Sequence, residues 1–384
     1  MVFKIRDYIE FGIFLVLVIV FYFARAIGVD SFEIFIFGVV VGLFLAIRAS
    51  ERAVEGVDSA AKKLGITTYV AGVLSSLASN APELVIGFFS VLYGNAEFAV
   101  SMIVIATGFN FLLLGLLIII ITYKKESGKM AVPAELLEVE VPVMRGAIIM
   151  LGGLFVIGIT TLGFLGEVPD ESTIPHLPSY AALLMVVSYL AYLIFILGYK
   201  GKKKERKEVE VSHGHHFTKR QTIILLIMGF VGIIFAGEMI SQSAESVGQG
   251  IGLDEFQLAF IVGACAALPE HAIALIAANR EGGAELGLGN TIAGAMQNLL
   301  LMIGAVGLFT VIFDNPLGVP LVHLSESGHV IPFILIQLGF GALLVFLVKS
   351  SVTDDRQLSL YEGLVITIAQ LFVFIIFLSG MHWI

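Results

Sequence analysis

Eleven stretches of this chain are apolar for long enough to cross a lipid bilayer, and that limits its fold more than any motif does. The hydrocarbon core offers no water to unpaired backbone groups, so a chain crosses it as helices or as a closed barrel. The runs lie at 8–28, 32–49, 67–93, 96–122, 143–163, 179–199, 221–241, 256–279, 284–312, 328–349 and 359–383. Each approaches the roughly 20 residues that one helical crossing needs. With 58% hydrophobic and 14% charged residues and a mean hydropathy of +0.98, the chain lies outside the soluble globular class. It reads as an all-α polytopic membrane protein of about eleven transmembrane helices.

Cytoplasmic loops are enriched in Lys and Arg. Threading eleven spans puts the N-terminus on the same side as Arg48 to Lys63, Lys124 to Arg145, Lys200 to Arg220, Arg280, and Lys349 to Arg356. That side holds 21 of the 22 basic residues, and only Arg25 falls opposite. The expectation is a multi-pass protein of the cell membrane, with its N-terminus cytoplasmic and its C-terminus outside. The first run lacks a small-residue cleavage site and reads as a retained helix. The basic residues follow one membrane face and are interleaved with Glu, so the bilayer is the expected partner and nucleic acid is not. Cys265 stands alone within a span and reads as a small buried hydrophobe. Nothing in the sequence specifies an oligomeric state.

The longest polar connection, "KGKKKERKEVEVSHGHHFTKR" at 200–220, divides the chain into parts of similar helix content. Its His213, His215 and His216 could bind a metal or simply belong to a solvated cytoplasmic loop. Laying one part over the other aligns Pro82-Glu83 with Pro269-Glu270 at an offset of 187 and Asn110 with Asn298 at 188, while Glu55 meets Glu245 at 190. The expected organisation is an extra N-terminal helix (1–30), a first five-helix repeat (31–199), the linker (200–220) and a second five-helix repeat (221–384). An odd number of helices per unit forces the copies to cross in opposite directions. That inverted repeat is common in secondary transporters, whose substrate sites lie near the midplane where the copies meet.

The two Pro-Glu pairs point to what such a site would hold. Proline has no N–H for the carbonyl four residues earlier and opens that turn, which here frees the oxygens of Ala78 and Cys265. Broken helices survive at membrane depth only when packed in protein or lining a polar cavity. Glu83 and Glu270 lie nine or ten residues from the nearer ends of their spans, where an ionised side chain costs about 2.5–3.5 kcal/mol to insert. Two facing carboxylates balance one divalent ion. Asn80, Asn110, Asn298 and the carbonyls of Ala78 and Cys265 would add neutral oxygens toward the six to eight or so that Ca²⁺ prefers, whereas Mg²⁺ wants a tighter octahedral cage. A lone buried Glu or Asn can be interhelical glue; equivalent pairs in inverted copies favour function.

At these residues the chain resembles the calcium/cation antiporter superfamily, whose two repeats each carry a glutamate in a broken helix and a polar residue in the next. The resemblance is close over 65–122 and 253–312 and extends to the helix order of the whole chain. It implies alternating access by ten core helices, with Glu83 and Glu270 coordinating Ca²⁺ as transported substrate, Na⁺ or H⁺ as counter-ion, and no organic cofactor. The sodium branch typically reads G-T-S-x-P-E; this chain keeps P-E in "ASNAPE" and "CAALPE" but has Ala106 and Gly294 where second-helix serines would stand. Asn80, Glu270-His271, Gln297 and the extra first helix are similar to the proton branch, although Ala267 replaces its second asparagine.

The residues lean toward protons as well. Sodium sites need further oxygens, yet no Ser or Thr occurs between Gly263 and Glu270, and Thr291 is the only one between Asn290 and Asn298. Protons need only the carboxylates, so two H⁺ for one Ca²⁺ is the natural exchange. Ser79, His271 and Gln297 are candidates for a proton relay or for support behind the ligands, and His271 could equally pack against a neighbouring helix. Glu97 and Glu285 could form an entry funnel or be solvated interface charges, and Glu55 and Glu245 could gate the site or be ordinary helix-end polarity. Two other classes fit less well. A channel selects cations with acidic rings, but two pseudo-symmetric carboxylates make an occluded site. An intramembrane enzyme would need a nucleophile, zinc ligands or an Asp pair, none of which is apparent.

Overall fold

The structure, a computed structural model, describes residues 5–66, 68–123, 127–132, 136–164, 173–198, 217–278, 284–324 and 330–380. The linker histidines His213, His215 and His216 lie outside the described residues, as does the side chain of Glu285. Helix α1 (Ile5–Ala26) precedes α2 (Phe32–Leu64), α3 (Thr68–Ser79), α4 (Ala81–Leu92), α5 (Ala96–Tyr123), α6 (Val141–Phe164) and α7 (Ser179–Gly198). The second half follows the same order: α8 (Lys219–Ile251), α9 (Glu255–Ala266), α10 (Leu268–Ala278), α11 (Ala284–Met296), α12 (Ile303–Phe313), α13 (Phe333–Thr353) and α14 (Leu360–Gly380). Among the described residues nine helical segments are long and apolar enough to span a membrane, and shorter apolar helices at Gly12–Ala26 and Phe256–Ala272 complete the expected eleven. The chain is an all-α polytopic membrane protein, with only short two-stranded ribbons between helices.

The two halves match element by element. Helices α2 and α8 are both 33 residues long and end on left-handed glycines, Gly65 (φ 68°) and Gly252 (φ 72°). Both outrun the expected spans of 32–49 and 221–241, because a charged or polar face continues the helix past the apolar run. In α2, Arg48 pairs with Glu51 and Arg52 with Glu55 one turn apart, the spacing that supports an exposed helix face. The next span is broken in both halves, between α3 and α4 at Asn80 and between α9 and α10 at Ala267. The third is continuous as α5. Its counterpart is interrupted by a π-helical turn, Gln297–Met302, between α11 and α12. A second π-helical turn, Leu136–Glu140, leads into α6.

Helix α5 runs through the middle of the core, buried on nearly every side, and packs against α9 and α14. The matching contacts in the other half join α11 to α3 and α12 to α7. Large apolar side chains of α1, α7 and α8, such as Phe23, Ile194 and Phe230, are exposed on the outer surface, where lipid would cover them.

Helices α2 and α8 form the most extensive helix pair, and small residues let their backbones approach, as is common between membrane helices. A Cβ added at Gly229 would sit 2.6 Å from the Ala53 backbone nitrogen and 2.7 Å from its Cα. Backbone cannot move aside as a flexible side chain can. Gly229→Ala is therefore expected to cost about 1–3 kcal/mol, read as a lower unfolding temperature in detergent. Gly153→Ala, where a Cβ meets nothing within 4 Å, is the matched control and should leave that temperature unchanged.

Candidate cation site

The helix breaks bring polar groups to the centre of the protein. On α3 and its junction with α4, Ser76, Asn80 and Glu83 recur at intervals of four and three residues and so share one helix face. Asn80 follows the last α3 residue and Pro82 sits in the first turn of α4, where its missing N–H costs least. In the second half, Glu270 occupies the first turn of α10. Glu83 and Glu270 are both fully buried, as are Asn80, Asn110, Gln297 and Asn298.

The arrangement is crossed. Asn298, from the second half, stands beside Glu83 of the first, while Asn110, Ser76 and Asn80, all from the first half, stand beside Glu270 of the second. The charge of Glu83 reaches Glu270. Ser76 Oγ lies 3.5 Å from Glu270 Oε1 and 3.2 Å from Gln297 Oε1. The Asn80 amide donates to Gln297 Oε1 at 3.1 Å, and Gln297 in turn donates to the Val73 carbonyl at 3.1 Å. Gln297 thereby ties the second half's π-helical turn to α3. Gly294 makes room for this meeting, since a Cβ there would overlap the Glu270 carboxylate.

The site is rich in oxygens that no protein group satisfies. Both Glu83 oxygens, Glu270 Oε2, Asn80 Oδ1 and Asn298 Oδ1 are buried without a hydrogen-bond partner among the described residues. Buried polar atoms are nearly always paired, so five such oxygens together, beside the unpaired amide nitrogens of Asn110 and Asn298, make this the candidate place for a cation. Among the described residues no three His, Cys, Asp or Glu side chains converge on a metal position. The donor set is instead two carboxylates with amide oxygens, which suits a hard cation such as Ca²⁺.

Several expected residues are placed differently. The Ala78 carbonyl is not left bare by Pro82, because Ser50 of α2 reaches it at 3.3 Å and the Ser79 carbonyl at 3.2 Å. The Ala267 N–H donates to the Gly263 carbonyl at 3.1 Å and also faces the Cys265 carbonyl. Both oxygens thus stand within reach of protein donors rather than bare. Ser79 Oγ turns back to the Ser76 carbonyl at 2.9 Å. His271 touches the edge of the site, its Nε2 3.3 Å from Asn110 Oδ1. Glu55 is bound to Arg52 at 3.0 Å, and Glu245 to Asn95 and Gln249. Glu97 is half-buried in the first turn of α5. Sequence reasoning missed Ser76 and Ser50. The signal for Ser76 was its helical spacing from Asn80 and Glu83; Ser50, on another helix, left none.

Comparison with known proteins agrees with this architecture. The family model "Sodium/calcium exchanger protein" matches residues 34–198 and 221–380. Among solved structures, the H⁺/Ca²⁺ exchanger CAX superposes with a TM-score of 0.69 at 16% identity, covering 98% of this chain and 93% of that one. The sodium-calcium exchanger NCX_Mj superposes with a TM-score of 0.56 at 16% identity, covering 90% and 98%. At such identities the likeness is one of fold. No curated protein matches the sequence significantly. With most of its length on the family model, the chain belongs to the sodium/calcium exchanger protein family.

Proposed function

We propose that the protein is a secondary antiporter that exchanges Ca²⁺ for a monovalent cation by alternating access, with H⁺ as the counter-ion. One observation carries this reading: two fully buried carboxylates from opposite halves, each beside the other half's asparagine, present oxygens that no protein group satisfies. An ionised group in such a place needs a compensating charge, and a mobile divalent cation supplies it. Glu83 and Glu270 are assigned as its charged ligands, with Asn80, Asn110 and Asn298 as neutral ones. Gln297 and Ser76 hold these groups in place.

Protons fit the counter-ion role because the neighbouring hydroxyls are committed elsewhere. Thr107 and Thr291 donate to the Ile103 and Gly287 carbonyls of their own helices, and Ser50 and Ser79 donate to backbone around the α3–α4 break. Sodium is the second reading, favoured by Ser76, whose hydroxyl stands beside Glu270. A channel fits less well, since among the described residues the polar groups close on one another inside the core. The basic residues gathered on one face support a cell-membrane protein with its N-terminus in the cytoplasm and its C-terminus outside.

Glu83→Gln and Glu270→Gln should each abolish ⁴⁵Ca²⁺ exchange in proteoliposomes. In detergent, Ca²⁺ at about 100 times its Kd should stabilise the wild type by about 2.7 kcal/mol, and the thermal shift should vanish in both variants. Full exchange by either variant would remove the site assignment. Calcium uptake driven by an imposed pH gradient in sodium-free buffer is expected. Uptake that instead requires Na⁺ and ignores the pH gradient would assign the counter-ion to sodium.

A further inference from the structure

Beside the helix breaks, and apart from the cation site, lies a cavity of about 440 Å³, within the range of ligand pockets, about 300–1,000 Å³. Leu64 of α2 and Leu226 and Phe230 of α8 line it, together with Ala78 and Ala81, which flank the α3–α4 break, and Met302, which ends the second half's π-helical turn. Every described side chain around it is apolar. Such a space stays dry and takes apolar ligands. The cavity is not sealed, because Leu64 and Phe230 are 75% and 43% exposed, on the outer surface where lipid would cover them.

Its depth matches one leaflet. Leu64 lies in the last turn of α2, whereas Ala78 stands ten residues along α3 from Thr68, about 15 Å at 1.5 Å per residue. That is half of the roughly 30 Å hydrocarbon core. The shallow end is basic. Lys63, next to Leu64, donates to the Phe217 carbonyl at 2.7 Å and to Thr222 Oγ1 at 3.1 Å, which brings the start of α8 against the end of α2. Lys62 on α2 and Lys219 and Arg220 on α8 are exposed at these two ends, within two helical turns of the lining residues Leu64 and Leu226. Asp58, one turn before Lys62, receives the Ser75 hydroxyl. Clustered Lys and Arg at the ends of membrane helices attract anionic headgroups, and at this depth an acyl chain is the matching apolar group. The neighbouring linker segment 200–216 carries only Val209 and Val211 as apolar side chains, so it offers little to fill the space.

We propose that this cavity is a lipid site, which takes one acyl chain of an anionic glycerophospholipid from the leaflet on the basic side while Lys62, Lys219 and Arg220 hold its phosphate. A chain seated there rests on both helix interruptions at once. It touches Ala78 and Ala81, on either side of Ser79 and Asn80, and Met302, at the end of the turn that begins with Gln297 and Asn298. It thereby braces from the membrane the joint that Ser50 braces from α2. The inference goes beyond cation exchange and holds whichever counter-ion is used.

The test uses full-length protein in detergent with added dioleoyl phosphatidylglycerol or dioleoyl phosphatidylcholine, and native mass spectrometry counts the lipid retained. Phosphatidylglycerol is expected to stay on the wild type. Ala60→Phe, which puts a ring among the lining side chains, should lower its retention by at least about tenfold, the effect of losing about two buried methylenes. Lys219→Gln and Arg220→Gln should each lower it about fivefold and leave phosphatidylcholine unaltered. A second measurement needs no substitution: phosphatidylglycerol with a diazirine at the end of one acyl chain, photolysed on the wild type in vesicles, should label peptides spanning 57–64, 74–84 and 226–230 above those of α1, α6 and α7. Equal retention in Ala60→Phe, or label spread evenly over all these helices, would overturn the lipid site. Wild-type protein that retains no phosphatidylglycerol would leave the cavity to another occupant, the linker or a second copy of the chain, and would overturn it equally.

Discussion

The cost of keeping two carboxylates inside a membrane protein, with no Lys or Arg paired to them among the described residues, governs this structure. A buried ion pair made with Lys or Arg would settle the charge permanently. Among the described residues the chain does not use that solution. Its described ion pairs, Arg25–Asp30, Arg48–Glu51, Arg52–Glu55 and Lys129–Asp355, lie at the end of α1, on α2 and in the connections, and none involves Glu83 or Glu270. Around those two side chains it sets amides and one serine hydroxyl, which orient a charge without cancelling it. On the function proposed above, the charge balance falls to the transported ions.

The rest of the core provides the dry, close setting that makes such a charge consequential. Helices α2 and α8 approach through glycine and alanine, and α4 is fastened to α8 where Ser241 donates to the Ile86 carbonyl at 2.9 Å and Ser90 to Ser241 at 3.1 Å. The α3–α4 break is stabilised from α2 by Ser50. A proline-opened turn at this depth needs such a donor, because an unsatisfied carbonyl in hydrocarbon costs several kcal/mol or so. The break is therefore a braced joint, and its geometry depends on where α2 stands relative to α3.

Much of this was legible in the residues themselves. The span count follows from apolar run length, which is a property of single segments, and the pairing of Pro82-Glu83 with Pro269-Glu270 shows in the spacing alone. What sequence could not supply were contacts made across helices. The hydroxyl that captures the Ala78 oxygen lies 28 residues away on α2, and nothing in the pattern of either helix announces the meeting. The length of α2 and α8 was underread for a related reason. Hydropathy falls where Arg48, Glu51, Arg52 and Glu55 begin, but helical hydrogen bonding does not, since those charges satisfy one another along an outer face. The π-helical turns escaped too, because one extra residue per turn scarcely alters an apolar pattern as uniform as that around Asn298.

The crossing of partners in the centre, with each glutamate beside an asparagine of the opposite half, bears on how this chain can change over time. Neither half contains a finished coordination shell, so a substitution in one copy alters the surroundings of the other copy's acid. The positions aligned by the repeat already differ, as Ala106 against Gly294 and Asn80 against Ala267 illustrate, while the acid and the following asparagine stand in both. Change at the centre of such a chain is therefore a joint matter for both halves.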